Sequence, residues 1–238
     1  VQPSDDFRTA NFSVSLTDDE TGEYTFYALS PASAQYSAYS SDEKAVGIDI
    51  PATQTPTSKS VDESAQILVA KSATMDEIPA NVELKFSHAV AYGRMSLANL
   101  NLGEANISSI SLTASKGFVG RYSYSPETNK LTEKTASTSL TINTDSATDV
   151  WFACAPVDLS NGGTLKVIVN TDKGTYTRTV TFPAGKGNFE AGYVAKFSVD
   201  MQGVSLEASD VYSLVTNIEE LTKDSKVIIV ASTEDYAI

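Results

Sequence analysis

The sequence predicts an all-β protein whose core forms where one antiparallel sheet packs on another. Many short segments alternate apolar and polar residues, which is the pattern of a strand with one buried face. No segment of helical length carries the i, i+3, i+4 apolar repeat of an amphipathic helix. Packed sheets are therefore the core that these residues can build.

Net charge and cysteine content limit which partners the protein can bind and whether disulfide bonds can stabilise it. The 238 residues include 30 acidic and 17 basic side chains, a formal net charge of -13. Such a surface argues against nucleic acid and anionic membrane as partners. The single cysteine, Cys154, excludes an intrachain disulfide and is expected to fill the core within an apolar run. No run approaches the roughly 20 apolar residues that a membrane helix needs.

Residues 1–80 are predicted to form a loose β module that is incomplete by itself. Residues 1–10 are polar and are expected to be a flexible lead-in, and residues 32–44 show no period and are expected to be a loop or an irregular edge. Long loops between few strands suggest that part of the sheet is supplied from elsewhere. The predicted strands are residues 11–17, with Phe12, Val14 and Leu16 inward, 24–29, 46–50 and 67–70.

The segment 82–90 is predicted to be the strand on which a second module, residues 81–203, is organised. Gly93 follows it, and the apolar parity then moves to Met95, which predicts a bulge or bend. The residues expected to face inward share one parity: Val82, Leu84, Phe86, His88 and Val90.

Further strands complete a predicted seven-stranded sandwich. The run Val150 to Ala155 is apolar on both parities, so it is expected to be a central strand beside residues 165–169. A tight hairpin is predicted at residues 170–174. The other predicted strands are residues 110–114, 118–124 returning along 110–114, 138–142, 175–182 and 189–199.

Residues 204–238 are predicted to open a further β domain that is cut short at the end of the sequence. Residues 211–215 and 226–230 have the composition of strands, and Asn217 is a candidate cap for a short helical turn.

The sequence contains few of the residues that catalytic and metal-binding sites use. Neither a cofactor nor a metal site is predicted. His88 is the only histidine, and a core or sheet-edge histidine bonded to a hydroxyl or to backbone is favoured over a triad member. Asp145 and Asp149 flank a loop but lack the oxygen spacing of a calcium loop. Paired carboxylates can act as catalytic acid and base only if the pKa of one is raised and that of the other is not. The acidic groups of this sequence lie in polar segments, where nothing would raise one pKa alone: Asp5-Asp6, Asp18-Asp19-Glu20 and Glu219-Glu220.

The glycine pairs and the tyrosines are better explained as turns and packed side chains than as ligand-binding residues. Gly162-Gly163 and Gly185-Lys186-Gly187 are predicted to be turns, because no helix follows to make a phosphate loop. Tyrosines exposed together could stack on sugar rings, but most follow the strand period and are expected to pack. They include Tyr24, Tyr27, Tyr36, Tyr39, Tyr122 and Tyr124.

Five short motifs occur in a fixed order along the chain. They are Phe26-Tyr27-Ala28-Leu29-Ser30-Pro31, Ile50-Pro51-Ala52-Thr53-Gln54, Ile67-Leu68-Val69-Ala70, Leu84-Lys85-Phe86-Ser87-His88-Ala89, and Phe182-Pro183 with Phe189-Glu190-Ala191-Gly192-Tyr193. This ordered set resembles the fimbrillin-like proteins, the pilus subunits of anaerobic gut and oral bacteria. The resemblance covers about residues 10–200, and residues 205–238 depart from the usual two-domain subunit.

The resemblance implies tandem transthyretin-like (immunoglobulin-like) β-sandwiches on the outer surface of the cell. It implies a lipoprotein precursor, with membrane contact only through a lipid anchor, and subunits that join when a strand of one completes the sheet of the next. Phe12, Val14 and Leu16 are then candidates for the assembly strand, and Arg8 for the processing site. A domain added at the C-terminal end would suit a pilus tip or a surface-anchored adhesin.

The resulting hypothesis is a non-catalytic, extracellular pilus subunit or tip adhesin whose partners are other subunits and a glycan or another surface ligand. Two alternatives stay open. One is a monomeric glycan-binding surface lipoprotein. The other is the β scaffold of a secreted enzyme whose catalytic domain follows Ile238.

Overall fold

A computed structural model describes residues 2–3, 10–11, 13 and 22–208. Within them nearly all regular structure is extended, which confirms the all-β prediction; the helical segments are two 3₁₀ turns, Ala32–Ala34 and Glu63–Ala65. The strands are β1 (Gln2–Pro3), β2 (Ala10–Asn11), β3 (Tyr27–Ser30), β4 (Gln35–Ser40), β5 (Ala45–Ile50), β6 (Thr53–Gln54), β7 (Leu68–Lys71), β8 (Ser87–His88), β9 (Ala91–Ala98), β10 (Ile107–Ala114), β11 (Val119–Ser125), β12 (Lys130–Ser137), β13 (Ser139–Ile142), β14 (Val150–Cys154), β15 (Val157–Asp158), β16 (Thr164–Thr171), β17 (Gly174–Thr181), β18 (Asn188–Phe189), β19 (Val194–Asp200) and β20 (Glu207–Ala208).

The largest sheet has six strands in the order β20-β17-β16-β10-β13-β6. β16 and β17 form the predicted hairpin, in which Thr171 pairs with Gly174. β10 pairs with β16 on one side and with β13 on the other. Ile110, Leu112 and Leu140 of this sheet are fully buried.

Five smaller sheets complete the described part: β12-β11-β5-β4, β14-β9-β19, β3-β7-β8, β15-β18 and β1-β2. Most pairs are antiparallel, but β6 runs parallel to β13 and β19 runs parallel to β9. β10 and β11 follow one another in the chain but belong to different sheets. The prediction that residues 118–124 return along the preceding strand is therefore wrong, because β11 pairs with β5 and β12.

Sheet pairing and core packing both cross position 80. Tyr122 of β11 pairs with Ile48 of β5, and Ile142 of β13 pairs with Gln54 of β6. One connected cluster of buried side chains extends over residues 34–201. The residues on either side of position 80 thus share sheets and a core. The division into domains 1–80, 81–203 and 204–238 and the tandem transthyretin-like arrangement stay predictions.

A group of phenylalanines fills the core beside β9 and β14. Phe118, Phe152 and Phe189 are at most 1% exposed, and their ring centroids lie 5.6–6.1 Å apart. Phe182 and Phe197 contact this group edge-on at 6.2–6.5 Å. Tilted and edge-to-face contacts are favourable for aromatic quadrupoles. Each buried ring contributes about 1.5–3 kcal/mol through the hydrophobic effect.

The segment 82–90 is mostly not a strand, which corrects the sequence-based prediction. Its paired part is Ser87–His88, which joins β7, and Phe86 is 43% exposed. The well-formed strand is β9, which starts at Ala91 and has β14 and β19 as neighbours. Residues 82–86 alternate in sequence, but no described strand lies beside them, so no ladder buries their apolar side.

Gly93 lies in the middle of β9 and not at a bulge. The pairing of β9 with β14 runs without a register shift from Ala91 to Met95. A Cβ atom at position 93 would lie 2.0 Å from Cζ of Phe152, far inside van der Waals contact. Glycine is therefore required here because the Phe152 ring packs directly on the backbone.

β14 is buried as predicted, but it is an end strand and not a central one. Its strand neighbour is β9, and residues 165–169 belong to the six-stranded sheet, so their predicted pairing with β14 is wrong. On the side away from β9, Gln54 takes the place of a strand. Its Nε2 donates to the Ala153 carbonyl at 2.8 Å, and its Oε1 accepts from the Ala153 N–H at 2.8 Å. Buried backbone groups need such partners.

The first strands of the chain follow the predictions only in part. Residues 24–29 and 67–70 correspond to β3 and β7, which pair antiparallel. The stretch 32–44, expected to be a loop or irregular edge, contains a 3₁₀ turn and β4. Several predicted features lie outside the described residues: Arg8, Phe12, Val14, Leu16, the three acidic pairs, Asn217 and the strands at 211–215 and 226–230.

Candidate functional site

An apolar groove of about 170 Å³ lies between two sheet edges. Its walls include Leu29 of β3, Tyr39 of β4, Val46 of β5 and Tyr124 of β11, and Val69 of β7 also faces it. Val69 and Tyr124 are almost fully buried, whereas Tyr39 is 37% exposed. The groove therefore has an apolar floor and an aromatic rim open to solvent.

The two strands beside the groove have unpaired edges. Within residues 22–208, β3 pairs with β7 alone and β4 pairs with β5 alone. The register of β4 against β5 shifts twice, and five of the six residues of β4 are exposed. An end strand presents free backbone N–H and C=O groups that a further strand can bind.

Polar and aromatic contacts fix one rim of the groove. The Tyr27 ring stacks on Tyr39 with centroids 4.8 Å apart. The Tyr27 hydroxyl donates to Oε1 of Glu127 at 3.1 Å, and Nζ of Lys71 donates to Oε2 at 2.6 Å. The hydrogen bond from Lys71, helped by that from Tyr27, holds the pKa of Glu127 below its ordinary value. Desolvation raises the pKa of Tyr27.

A larger and polar cleft, of about 410 Å³, lies elsewhere and shares no lining residue with the groove. It is bounded by the loop 143–149 between β13 and β14, by residues 56–58 after β6 and by Ser108 of β10. Trp151 of β14 also lines it. Hydroxyl, amide and carboxylate groups dominate its lining, and no lysine, arginine or histidine contributes to it.

The structure places Asp145 and Asp149 together in this cleft. Arg94 of β9, the register partner of Trp151, donates from Nε to Oδ1 of Asp149 at 2.8 Å. This hydrogen bond lowers the pKa of Asp149. Cζ of Arg94 also lies 5.1 Å from the Trp151 ring centroid. Among the residues that the structure describes, no group of three or more His, Cys, Asp or Glu side chains is placed to hold a metal ion.

The remaining residues singled out from the sequence have structural surroundings. His88 is half-buried, and its Nδ1 lies 2.7 Å from the Tyr92 hydroxyl, so the prediction of a histidine bonded to a hydroxyl is confirmed. Cys154 is fully buried, as predicted, and burial raises the pKa of its thiol. Gly162 and Gly185 lie in turns with positive φ, as predicted.

The tyrosines divide between core and surface. Tyr122 and Tyr124 are buried, as expected from their alternation. Tyr36 and Tyr39 are 36% and 37% exposed on β4, in a stretch that was expected to be a loop or irregular edge. Sequence reasoning also missed Trp151 and Ser108 as cleft residues, and no local pattern marks them.

The described residues define an all-β protein with an apolar groove beside two end strands and a separate polar cleft. The chain matches the family model described as Fimbrillin-like over residues 7–219 and belongs to that family. The match confirms the resemblance seen in the motifs and extends beyond residue 200. Among the described residues, no helix has the length and apolar character to cross a membrane.

Three solved structures are similar to the chain. A candidate cell adhesion protein from Bacteroides ovatus ATCC 8483 is 17% identical, with 85% of this chain and 73% of that chain covered and a TM-score of 0.46. One from Bacteroides uniformis ATCC 8492 is 15% identical, with coverages of 79% and 72% and a TM-score of 0.49. A fimbrial protein from Bacteroides vulgatus ATCC 8482 is 13% identical, with coverages of 77% and 75% and a TM-score of 0.32. No curated protein matches the chain.

Proposed function

We propose that this protein is a non-catalytic pilus subunit or tip adhesin of the cell surface, and that its groove accepts a strand from another subunit. The observation that supports the proposal is an apolar groove between β3 and β4, each of which has one unpaired edge within residues 22–208. Membership of the Fimbrillin-like family agrees with this role.

An added strand would both pair with an end strand beside the groove and cover the apolar floor of the groove. An incoming strand would pair its backbone with β3 or β4, while alternate apolar side chains would pack against Leu29, Val46 and Val69. Each apolar side chain of the added strand that becomes buried would contribute roughly 1.5–3 kcal/mol before the cost of ordering is subtracted. Assembly of this kind needs neither a cofactor nor a bond-making step.

The N-terminal residues enter the proposal through their sequence pattern alone. Phe12, Val14 and Leu16 alternate as a strand does, and they are the proposed assembly strand. Arg8 precedes them and is the proposed processing site. Proteolysis after Arg8 would remove residues 1–8 and leave the proposed assembly strand next to the new N-terminus. The proposed setting is extracellular, with other subunits as partners and a lipid anchor as the contact with the outer membrane.

The proposal is tested by placing a charge in the groove. The precursor is trimmed with trypsin, and its polymers are detected as ladders that resist sodium dodecyl sulfate at moderate temperature. Leu29→Lys should abolish the ladders, because a lysine ammonium cannot be buried beneath an added strand without a partner. Circular dichroism checks that the variant folds.

The control places the same charge on another strand. Val194→Lys changes an exposed residue of β19, which is 48% accessible and outside the groove. This variant should form ladders as the unchanged protein does. A photo-reactive benzoylphenylalanine at Tyr39 should cross-link subunits, and one at the exposed Tyr193 should not. A trimmed protein that stays monomeric, or equal cross-linking at both positions, would refute assembly through the groove.

A further inference from the structure

We propose that the polar cleft beside Trp151 binds a neutral oligosaccharide. The cleft and the groove share no lining residue, so this inference goes beyond strand-mediated assembly and can fail or hold independently of it. Its volume of about 410 Å³ lies within the roughly 300–1,000 Å³ of small-molecule sites.

The lining of the cleft matches the hydroxyl groups of a sugar. Each sugar hydroxyl donates one hydrogen bond and accepts others, so a complementary site mixes acceptors with hydroxyl and amide groups. The carboxylate of Asp145 supplies acceptors, and it makes no hydrogen bond or ion pair with the described residues. The side chains of Asn143, Thr148 and Ser108 supply amide and hydroxyl groups. One face of the Trp151 ring is covered by Arg94, and the part of the ring that lines the cleft offers apolar atoms for sugar C–H groups.

The loop 143–149 is held in place before any ligand arrives. The Ser146 hydroxyl donates to the Thr148 carbonyl at 2.8 Å, and the N–H of Thr148 donates back to that hydroxyl oxygen at 3.1 Å. The Leu97 N–H of β9 donates to the Ala147 carbonyl at 2.8 Å, which ties the loop to the sheet. A site that is ordered in advance loses less conformational entropy on binding.

The opposite wall is ordered as well. The N–H of Ser60 donates to Oγ1 of Thr57 at 3.0 Å, and the N–H of Thr57 donates to the Ser60 carbonyl at 3.0 Å, closing the turn that carries residues 56–58. Nδ2 of Asn143 donates to Oγ1 of Thr55 at 3.2 Å and joins the two walls. The cleft is therefore a formed site and not a gap between loose loops.

Charge narrows the ligand to a neutral one. The charged side chains that line the cleft are Asp145 and Asp149, and no cationic side chain lines it. The charge of Asp149 is compensated by its ion pair with Arg94, so Asp145 is the uncompensated charge in the lining. An unpaired carboxylate repels sialylated, sulfated or uronic-acid sugars. A divalent cation would need more oxygen ligands than two carboxylates supply.

The experiment uses the sole tryptophan of the chain as its reporter. The purified full chain is titrated with lactose, maltose, cellobiose, chitobiose and their longer neutral homologues, and the fluorescence of Trp151 is followed. At least one neutral sugar should change the emission in a saturable way, and sialyllactose and Ca²⁺ should not. Calorimetry with the responding sugar gives its affinity.

Two variants separate the cleft from the rest of the surface. Asp145→Ala should weaken binding about tenfold, because charge-assisted hydrogen bonds to the sugar are lost. Asp42→Ala removes an exposed acid outside the cleft and should leave the affinity unchanged. Failure of every neutral sugar, tighter binding of sialyllactose, a response to Ca²⁺ alone, or equal binding by Asp145→Ala would each overturn the proposal. None of these results depends on whether the protein polymerises.

Discussion

The six-stranded sheet and the groove region, which consists of β3, β4, β7 and β8, differ in how many strand neighbours their strands have. In the six-stranded sheet β10 and β16 each have neighbours on both sides, and β20 and β6 are the end strands. In the groove region β3 and β4 have one neighbour each among residues 22–208. Within the described residues, the strands beside the groove are therefore end strands, whereas β10 and β16 are interior strands.

Burial also differs between the interior strand β16 and the end strand β4. Leu165, Val167 and Val169 of β16 are fully buried, whereas β4 is exposed along almost its whole length. Because stability scales with apolar area removed from water, the six-stranded sheet should carry most of the stability of the chain. Regions that bind partners are often drawn from the less stable parts of a fold.

A matched pair of leucines gives the largest expected difference between the two regions. Leu112 of β10 is fully buried, and Leu29 of β3 is half-buried at the groove. Leu112→Ala should lower the free energy of unfolding by about 2–5 kcal/mol, since it leaves a cavity in a packed core. Leu29→Ala should cost less than about 1.5 kcal/mol, because water already reaches its site. Urea denaturation of both variants measures the difference, and equal losses would contradict the comparison.

A matched pair of glutamines tests the same contrast with hydrogen bonds. Gln54 of β6 is fully buried and bonds both backbone groups of Ala153. Gln35 of β4 is exposed and donates to the Ser37 carbonyl at 3.2 Å. Gln54→Ala leaves two buried backbone groups unpaired and should cost about 2–4 kcal/mol. Gln35→Ala should change the free energy of unfolding by less than about 0.5 kcal/mol.

Hydrogen exchange in the Gln54→Ala variant also tests whether the Gln54 side chain pairs with β14 as a neighbouring strand would. Amide hydrogen exchange at Ala153 should accelerate in Gln54→Ala more than exchange in the β16–β17 hairpin does. Uniform acceleration at all amides would mean that Gln54 acts on global stability alone, and not as the local partner of β14.

Sequence reasoning located strands of the six-stranded sheet and its hairpin because that information is local, whereas the predicted pairings of residues 165–169 and of 110–114 with other strands were wrong. The ladder 110–114, the strand 138–142 and the hairpin 170–174 depend on alternation and on a short turn. The groove region depends on contacts that alternation does not encode. The segment 82–90 is alternating, yet its paired part is Ser87–His88, because periodicity reports extended chain and not the presence of a neighbour.

The sequence predicted individual residues of the cleft and of the groove, but it did not predict that these residues come together. Asp145 and Asp149 stood out as a loop pair, but the cleft also needs Trp151 and Ser108, which reach it through β14 and β10. Tyr39 lies in a stretch without period and becomes a groove residue because β5 places β4 beside β3. β5 and β11 lie far apart in the chain, and the alternation pattern of a single sequence does not reveal that they pair.

The smallest expected effect is a pH dependence at the rim of the groove. The hydrogen bond from Lys71 holds the pKa of Glu127 below its ordinary value in the folded protein. A depressed carboxyl pKa stabilises the fold above the unfolded-state pKa of about 4.3, and this contribution is lost as the pH falls through the folded-state value. Glu127→Gln should therefore reduce stability slightly at pH 7 and less, or not at all, at pH 2. Both chains are compared by urea denaturation at each pH.

The control for this pH dependence lies on the six-stranded sheet. Glu104 forms an ion pair with Lys173 at 3.0 Å, but its side chain is 92% exposed, so solvent screens the pair. Glu104→Gln should leave the pH profile of stability almost unchanged. If Glu127→Gln gave the same profile as Glu104→Gln, the contacts of Tyr27 and Lys71 with Glu127 would not fix the rim. The stacked Tyr27 and Tyr39 would then have to hold the groove open on their own.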